Sequence, residues 1–265
     1  MNAFLLAWVT GMGLIIGSFL NVVVWRLPRG ESLSHPPSHC PGCNQPIKPY
    51  DNVPVISWLL LRRRCRNCKN LISARYPAVE LATGLLFLLI AWRIGWHLSL
   101  IGYLFFTATG VALALIDYDI KRLPDALTFP TYVVALAALL GDSVYAGHWH
   151  PFARALEGMA ALFGFYLATR VLGSALLRKT AMGLGDVKLS GILGLLLAWL
   201  SWGALFVGAF AGFLVGAVGG ITLIASGRGK LATKIPYGPY MLLGALVGIL
   251  WGTSIAHWYL ALSGS

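Results

Sequence analysis

The chain has 265 residues, of which 58% are hydrophobic and only 11% charged. Soluble domains carry about 25% charged residues, so the composition excludes an ordinary soluble domain and indicates an integral membrane protein. The net charge of +11 suggests nucleic acid binding, but 17 of the 20 Lys and Arg residues fall in four loops, which is the pattern of cytoplasmic loops facing anionic lipid.

Apolar segments of membrane-spanning length predict eight transmembrane helices. They are expected at about 3–25, 78–93, 98–116, 126–146, 152–177, 187–200, 203–226 and 238–262. No basic residue precedes the first segment and no small-residue cleavage site follows it, so an uncleaved helix is expected there. The basic loops 26–77, 117–126, 178–188 and 227–235 place both termini outside and these four loops in the cytoplasm.

The predicted fold is therefore an all-α polytopic membrane protein with one hydrophilic insertion. We expect a first transmembrane helix at 1–25, a cytoplasmic four-cysteine loop at 26–77 and a seven-helix membrane domain at 78–265. Glycines recur at every fourth position in the last two segments: Gly208, Gly212, Gly216, Gly220, Gly244, Gly248 and Gly252. Such a series lines one helix face and lets another backbone approach closely, either within the chain or across a homodimer.

All four cysteines lie in the long loop, as Cys40-Pro-Gly-Cys43 and Cys65-Arg-Asn-Cys68 with 21 residues between the pairs. Four thiolates at this spacing predict a closed tetrahedral zinc site that folds the loop and performs no chemistry. Disulfides are the alternative, but a cytoplasmic loop keeps its thiols reduced. His35 and His39 are further candidate ligands.

Four acids lie near the predicted cytoplasmic boundary: Asp117, Asp119, Asp125 and Asp186. Asp117 directly continues an apolar run, so it is expected to be drawn into the bundle. Asp186 stands at the start of a span behind Gly183 and Gly185, whose bare backbone would let a peptide come close. Asp125 follows a proline and precedes a span, a position typical of a helix N-cap.

Two carboxylates at one site do not both ionise easily, so one keeps a proton while the other is charged. Such a pair can activate a water molecule and protonate a leaving amine without a covalent intermediate. Ion or proton transport is a competing use of intramembrane acids. Glu80 and Glu157 lie inside predicted spans, but both lie near an end.

Six blocks of sequence resemble the type 4 prepilin peptidases, in the order found in that family. They are Gly17-Ser-Phe-Leu-Asn-Val22 with Arg26-Leu-Pro28, the paired cysteine motifs, Ser73-Ala-Arg-Tyr-Pro77 leading into Glu80, Ile116-Asp117, Leu123-Pro-Asp125, and Gly183-Leu-Gly-Asp-Val-Lys188. Family members often carry Gly two positions before the third cysteine, where this chain has Arg63.

The resemblance implies an inner-membrane aspartic peptidase of the GxGD type with Asp117 and Asp186 as its catalytic pair, and with Gly183, Gly185, Lys188 and Asp125 as supporting residues. Its substrates would be prepilins or pseudopilins, cut after a Gly on the cytoplasmic side. It further implies N-methylation of the new N-terminal residue with S-adenosylmethionine, although no glycine-rich cofactor fingerprint is present. A zinc-stabilised transporter and a non-catalytic assembly factor for a pilus or secretion machine are the alternatives.

Overall fold

The computed structural model describes residues 2–180, 182–226 and 236–262. It contains ten α-helices, which we number in chain order: α1 (Ala3–Arg26), α2 (Ile56–Leu60), α3 (Arg75–Ile94), α4 (Ser99–Ile120), α5 (Asp125–Ala146), α6 (His150–Leu177), α7 (Leu184–Leu200), α8 (Trp202–Ala225), α9 (Gly238–Val247) and α10 (Thr253–Leu262). A π-helical turn, Gly248–Gly252, joins the last two. Within the described ranges β-structure is limited to two isolated bridges, so the predicted all-α fold is confirmed.

Seven helices in the described part of the chain are long and apolar enough to cross a membrane, and they coincide with seven of the eight predicted spans. The remaining predicted span, 187–200, corresponds to α7. This helix has 17 residues, which is the lower limit for crossing a bilayer. Eleven of its residues are buried, because α5, α6, α8 and α9 pack around it. The predicted basic loop 227–235 lies outside the described residues.

The chain divides into two compact units: Met1–Trp96 with Thr107–Ala112, and His97–Phe106 with Leu113–Ser265. In the first unit, α1 packs against α3 at small residues. A Cβ added at Gly17 would lie 2.8 Å from Cα of Glu80, and one at Gly13 would lie 2.9 Å from Cα of Gly84. The two backbones therefore approach as closely as glycine allows.

In the second unit, the glycines of α8 face the glycines of α9 and of the π-helical turn that follows it. A Cβ added at Gly208 would lie 3.3 Å from Cα of Gly248, and one at Gly252 would lie 2.7 Å from Cα of Ala204. The glycines therefore serve packing within the chain, one of the two uses expected from the sequence.

The hydrophilic loop of the first unit is tied to the ends of both helices that flank it. Arg26, at the end of α1, is buried and donates to the carbonyl oxygens of Ser32 at 3.0 Å and Pro36 at 2.7 Å. Glu80, near the start of α3, is 8% exposed and accepts the backbone N–H of Val55 at 2.7 Å. The loop is thus held at the level where α3 begins.

Candidate functional site

Asp117 ends the apolar run of α4 and is only 5% exposed. The helix ends three residues later at Ile120, and the next residue, Lys121, adopts a left-handed conformation and donates its N–H to the Asp117 carbonyl oxygen at 2.8 Å. The Asp117 carboxylate accepts the backbone N–H of Gly238, the first residue of α9, at 3.0 Å. The acid is therefore drawn into the bundle, as predicted, and its negative charge lies at a helix N-terminus, where the helix dipole stabilises it.

Asp186 occupies the third position of α7, whose N-cap is Gly183. Its carboxylate turns back toward Gly183, since a Cβ added there would lie 2.8 Å from Oδ2 of Asp186, which is the side an acid faces at this position in a capping box. Leu123 packs beside both Gly185, the neighbour of Asp186, and Gly238, the partner of Asp117, so the fold brings into one neighbourhood two acids that are 69 residues apart in the sequence.

Gly183 is exposed and Gly185 is half-buried, so part of the backbone before Asp186 stays open, as the sequence suggested. A Cβ at Gly183 would lie 2.8 Å from Oδ2 of Asp186, and one at Gly185 would lie 2.8 Å from Cβ of Leu123. The space beside each glycine is already filled by another part of the chain. Both residues are needed for close packing around Asp186.

The N-cap role expected for Asp125 is wrong. Pro124 is the N-cap residue of α5 and no side chain caps this helix. Both carboxylate oxygens of Asp125 instead accept from Nζ of Lys188 at 2.7 Å. The lysine nitrogen also lies 5.1 Å from the ring centroid of Phe129, so these contacts hold the start of α7 against the start of α5.

Three residues near the acids were not predicted from the sequence. Gly238 binds Asp117, and the hydroxyl of its neighbour Tyr237 lies 3.3 Å from the hydroxyl of Tyr166. The only sequence signal was Pro236-Tyr-Gly-Pro239, a turn motif just before the last span.

Asp142 is a further acid that was not singled out from the sequence, although it lies inside a predicted span. It is buried in α5, 17 residues beyond Asp125. A helix rises about 1.5 Å per residue, so Asp142 lies roughly 25 Å along the axis from Asp125. It is therefore not part of the acid pair.

The four cysteines of the loop come together as predicted. Their sulfur atoms all lie within 4.8 Å of one another, and none forms a disulfide. The histidines expected as alternative ligands are not in this cluster. Nδ1 of His35 lies 3.4 Å from the Ser34 hydroxyl, and Nδ1 of His39 lies 3.3 Å from the Pro37 carbonyl oxygen.

The two cysteine motifs form equivalent turns. In each, the first cysteine donates its N–H to the carbonyl oxygen five residues on, Gln45 or Asn70, and its own carbonyl accepts the N–H four residues on. The residue after the second cysteine of each motif has a positive φ. Such turns aim backbone N–H groups at sulfur, a geometry suited to thiolates.

These backbone donors also change the acidity of the thiols. The backbone N–H of Gln45 lowers the pKa of Cys43, and those of Cys68 and Asn67 lower the pKa of Cys65 to about 6. A cluster of four sulfurs, some of which ionise readily, is suited to bind a soft divalent cation such as zinc.

Arg63, the departure from the family pattern, has a φ of +63°. Glycine adopts this left-handed conformation without strain, whereas other residues pay about 1–2 kcal/mol, which explains a preference for glycine here. Its guanidinium lies 5.4 Å from the ring centroid of Trp58, a cation–π contact that partly offsets the cost. The turn therefore forms in this chain despite the arginine.

Comparison with known proteins identifies the class to which this fold and site belong. Residues 104–251 match the model of the type IV leader peptidase family, and residues 12–94 match the model of the bacterial peptidase A24 N-terminal domain. The chain belongs to the type IV leader peptidase family. The first of these matches covers the acid pair and the second covers the cysteine loop.

Curated relatives extend the likeness over nearly the full length. Prepilin leader peptidase/N-methyltransferase of Aeromonas hydrophila is 40% identical over 272 residues, covering 93% of this chain and 91% of the relative. The proteins of the same name from Pseudomonas aeruginosa and Neisseria gonorrhoeae are 35% and 37% identical, covering 96% and 82% of this chain and 92% and 82% of the relatives. No solved structure matches the chain.

Proposed function

We propose that this protein is the membrane endopeptidase that removes the basic leader from prepilins or pseudopilins, with Asp117 and Asp186 as its catalytic pair. The observation that carries the proposal is the shared neighbourhood of these two acids, each at one end of a largely apolar helix, with Leu123 packed against both Gly185 and the Gly238 that binds Asp117. Membership of the leader peptidase family supports the same reading.

The pair performs the reaction with one proton shared between two carboxylates. The ionised acid takes a proton from water as the oxygen attacks the scissile carbonyl, and the protonated acid gives its proton to the carbonyl oxygen. As the gem-diol collapses and the C–N bond breaks, the acid that took the proton from water gives it to the leaving amine, and the other acid takes a proton from a gem-diol hydroxyl. Water is consumed, no covalent enzyme intermediate forms, and the pair returns to its starting state.

The surrounding residues hold the acids for this task. The N–H group of Gly238 fixes the carboxylate of Asp117, Gly183 leaves room for that of Asp186, and Gly185 lets Leu123 pack against the first turn of α7. The Lys188–Asp125 ion pair fastens that turn to α5. We assign these four groups supporting roles and no part in proton transfer.

We infer that the active site faces the cytoplasm, because the loops beside Asp117 and Asp186 carry the basic residues of the positive-inside pattern. A prepilin presents a hydrophobic helix behind its cleavage site, so a scissile bond at the membrane border meets the acids there. Asp51 and Asp125 are poor candidates for attracting the basic leader. Arg66 and Lys188 already compensate their charges, at 2.6 Å and 2.7 Å.

We further propose that the loop 26–77 binds structural Zn2+ through Cys40, Cys43, Cys65 and Cys68 and forms the region associated with N-methylation. The donor set supports this, since four converging sulfurs leave no open position for chemistry at the metal. S-adenosylmethionine would supply the methyl group, while this chain would bind and orient the new N-terminal amine. The names of the relatives support this second activity.

The same loop is suited to lie on an anionic membrane surface. Leu59 and Leu60 of α2 are exposed, and Arg62, Arg63 and Arg64 follow after one further leucine. Since Val55 is bonded to Glu80 near the start of α3, α2 is held at the level of the membrane border. Apolar side chains beside basic ones fit a lipid interface.

The purified protein in detergent, incubated with a prepilin and S-adenosylmethionine, tests the proposal. Mass spectrometry should find the leader removed after its glycine and one methyl group added to the new N-terminus. An uncut prepilin would favour the assembly-factor alternative. Cleavage without methylation would limit the proposal to the peptidase.

A further inference from the structure

Lys188 lies two residues beyond Asp186 on α7, and α5 holds it at two separate points. Its side-chain nitrogen donates to Asp125, the first residue of α5. Its backbone carbonyl oxygen accepts the hydroxyl of Tyr132, about two turns further along α5, at 2.6 Å. A single residue of α7 is therefore bonded to α5 through both its side chain and its main chain.

Gly191 makes room for the Tyr132 hydroxyl. A Cβ added at Gly191 would overlap the hydroxyl oxygen and would lie 3.2 Å from Cζ, the ring carbon that carries it. Gly191 is buried and stands three residues after Lys188, so the two residues lie on the same face of α7. The end of the tyrosine ring therefore occupies the space that the absent side chain leaves, and from there its hydroxyl reaches the Lys188 carbonyl.

We propose that Tyr132 positions Asp186 by fixing the rotation of α7 about its own axis. This inference rests on the proposed peptidase function. The ring beside Gly191 prevents α7 from turning, and the bond to the Lys188 carbonyl prevents it from sliding along α5. Asp186 belongs to the same end of the helix, so the direction of its carboxylate follows from this packing. Tyr132 is a positioning residue and takes no part in proton transfer.

The reaction is sensitive to the rotation of α7, because one water molecule must be within reach of both acids. A side chain extends about 5–6 Å from the axis of an α-helix, so a rotation of about 10° moves a carboxylate by about 1 Å. A displacement of that size can reduce a rate by roughly a hundredfold. Loss of the contact should therefore lower kcat and leave KM, which reflects the binding of the prepilin helix, nearly unchanged.

The hydroxyl is tested by Tyr132→Phe, which removes one oxygen and keeps the ring. It should lower kcat by about five- to tenfold, the effect of losing one hydrogen bond, with KM within about twofold of the wild type. Tyr103→Phe is the matched control, because the Tyr103 hydroxyl donates to the carbonyl oxygen of Leu196 on the same helix, also at 2.6 Å.

The control separates positioning from stability. Leu196 lies ten residues beyond Asp186, which is about 15 Å along the helix. Tyr103 is fully buried, whereas Tyr132 is half-buried. Tyr103→Phe should therefore lower the melting temperature in detergent at least as much as Tyr132→Phe does, and yet cleave prepilin at the wild-type rate.

The space at Gly191 is tested by Gly191→Ala, alone and combined with Tyr132→Phe. The alanine alone should lower kcat at least a hundredfold, because its Cβ overlaps the hydroxyl oxygen and α7 must turn. Tyr132→Phe removes that oxygen and leaves the ring carbon at 3.2 Å, so the double variant should return to within about threefold of Tyr132→Phe. Gly194→Ala is the control, since its Cβ would overlap the carbonyl oxygen of Gly158 and Tyr132→Phe should not rescue it.

The positioning role and the peptidase assignment fail in different ways. Inactive Asp117→Asn and Asp186→Asn variants, together with a wild-type kcat in Tyr132→Phe or Gly191→Ala, would overturn the positioning role and leave the catalytic pair intact. An equal loss of kcat in Tyr103→Phe, or a double variant no faster than Gly191→Ala, would also overturn it, since either result would indicate general damage to packing. Full activity of both Asn variants would reject the peptidase assignment itself.

Discussion

Reversing the Lys188–Asp125 ion pair separates a positioning role for Asp125 from a role in attracting the leader. Lys188 Nζ lies 2.7 Å from both carboxylate oxygens of Asp125, and the two side chains are 25% and 53% exposed. Exposed pairs contribute about 0.2–1 kcal/mol, and the contact of Lys188 with Phe129 adds about 0.5–1 kcal/mol. The pair therefore stabilises the placement of α7 by about 1 kcal/mol.

This magnitude sets the expected rates. Asp125→Asn should lower cleavage by about two- to fivefold, because about 1 kcal/mol corresponds to a factor of roughly five in population. Asp125→Lys should lower it further, since two ammonium groups would then face each other. The swapped variant, Asp125→Lys with Lys188→Asp, restores opposite charges and should return to within about threefold of the wild type.

The assay is the initial rate of cleavage of two prepilins, one with a basic leader and one whose leader has been neutralised. Positioning by the ion pair predicts the same losses for both substrates and rescue by the swap. The reasoning would be refuted by a swapped variant that stays as slow as Asp125→Lys on the basic leader and cleaves the neutral leader normally, because that pattern belongs to attraction of the substrate.

Three further perturbations address the metal, the helix packing and the loop anchor. Cys43→Ser should reduce bound zinc from about one ion per chain to a small fraction, measured by plasma emission spectroscopy, and make the loop sensitive to protease; full zinc content would contradict a four-cysteine site. Gly248→Ala should lower the melting temperature by several degrees, because a Cβ there would lie 2.8 Å from Cα of Gly208; an equal change in Gly11→Ala, where a Cβ meets nothing within 4 Å, would argue against close packing as the cause. Glu80→Leu leaves the half-buried N–H of Val55 without an acceptor and should accelerate proteolysis of the loop, whereas Glu80→Gln keeps an acceptor and should not; identical proteolysis of the two variants would exclude the anchor.

Local sequence patterns were sufficient to predict most of the fold. Runs of apolar residues predict the spans because a bilayer forces each backbone to satisfy its own hydrogen bonds in a helix. The same reasoning placed Asp117 in the bundle, since it directly continues such a run. The cysteine cluster was predicted from spacing, because a tetrahedral site selects two short chelating turns.

Contacts between residues that are far apart in the sequence could not be predicted from local sequence patterns. Gly238 meets Asp117 across 121 residues, and Lys188 meets Asp125 across 63. The preference for an acid at the start of a helix predicted that Asp125 is an N-cap. Its carboxylate instead forms an ion pair with the distant Lys188. The packing of Leu123 against Gly185 was likewise not predicted, because nothing in the sequence near Gly185 reveals it.

The most direct test of the account is prepilin cleavage by Asp117→Asn and Asp186→Asn, with Asp142→Asn as the matched control for removing a buried acid elsewhere in the second unit. All three variants should fold, as judged by melting temperature in detergent. The account predicts that the first two lose cleavage by at least a thousandfold and that the third cleaves at the wild-type rate. Normal cleavage by either Asp117→Asn or Asp186→Asn would contradict the catalytic pair.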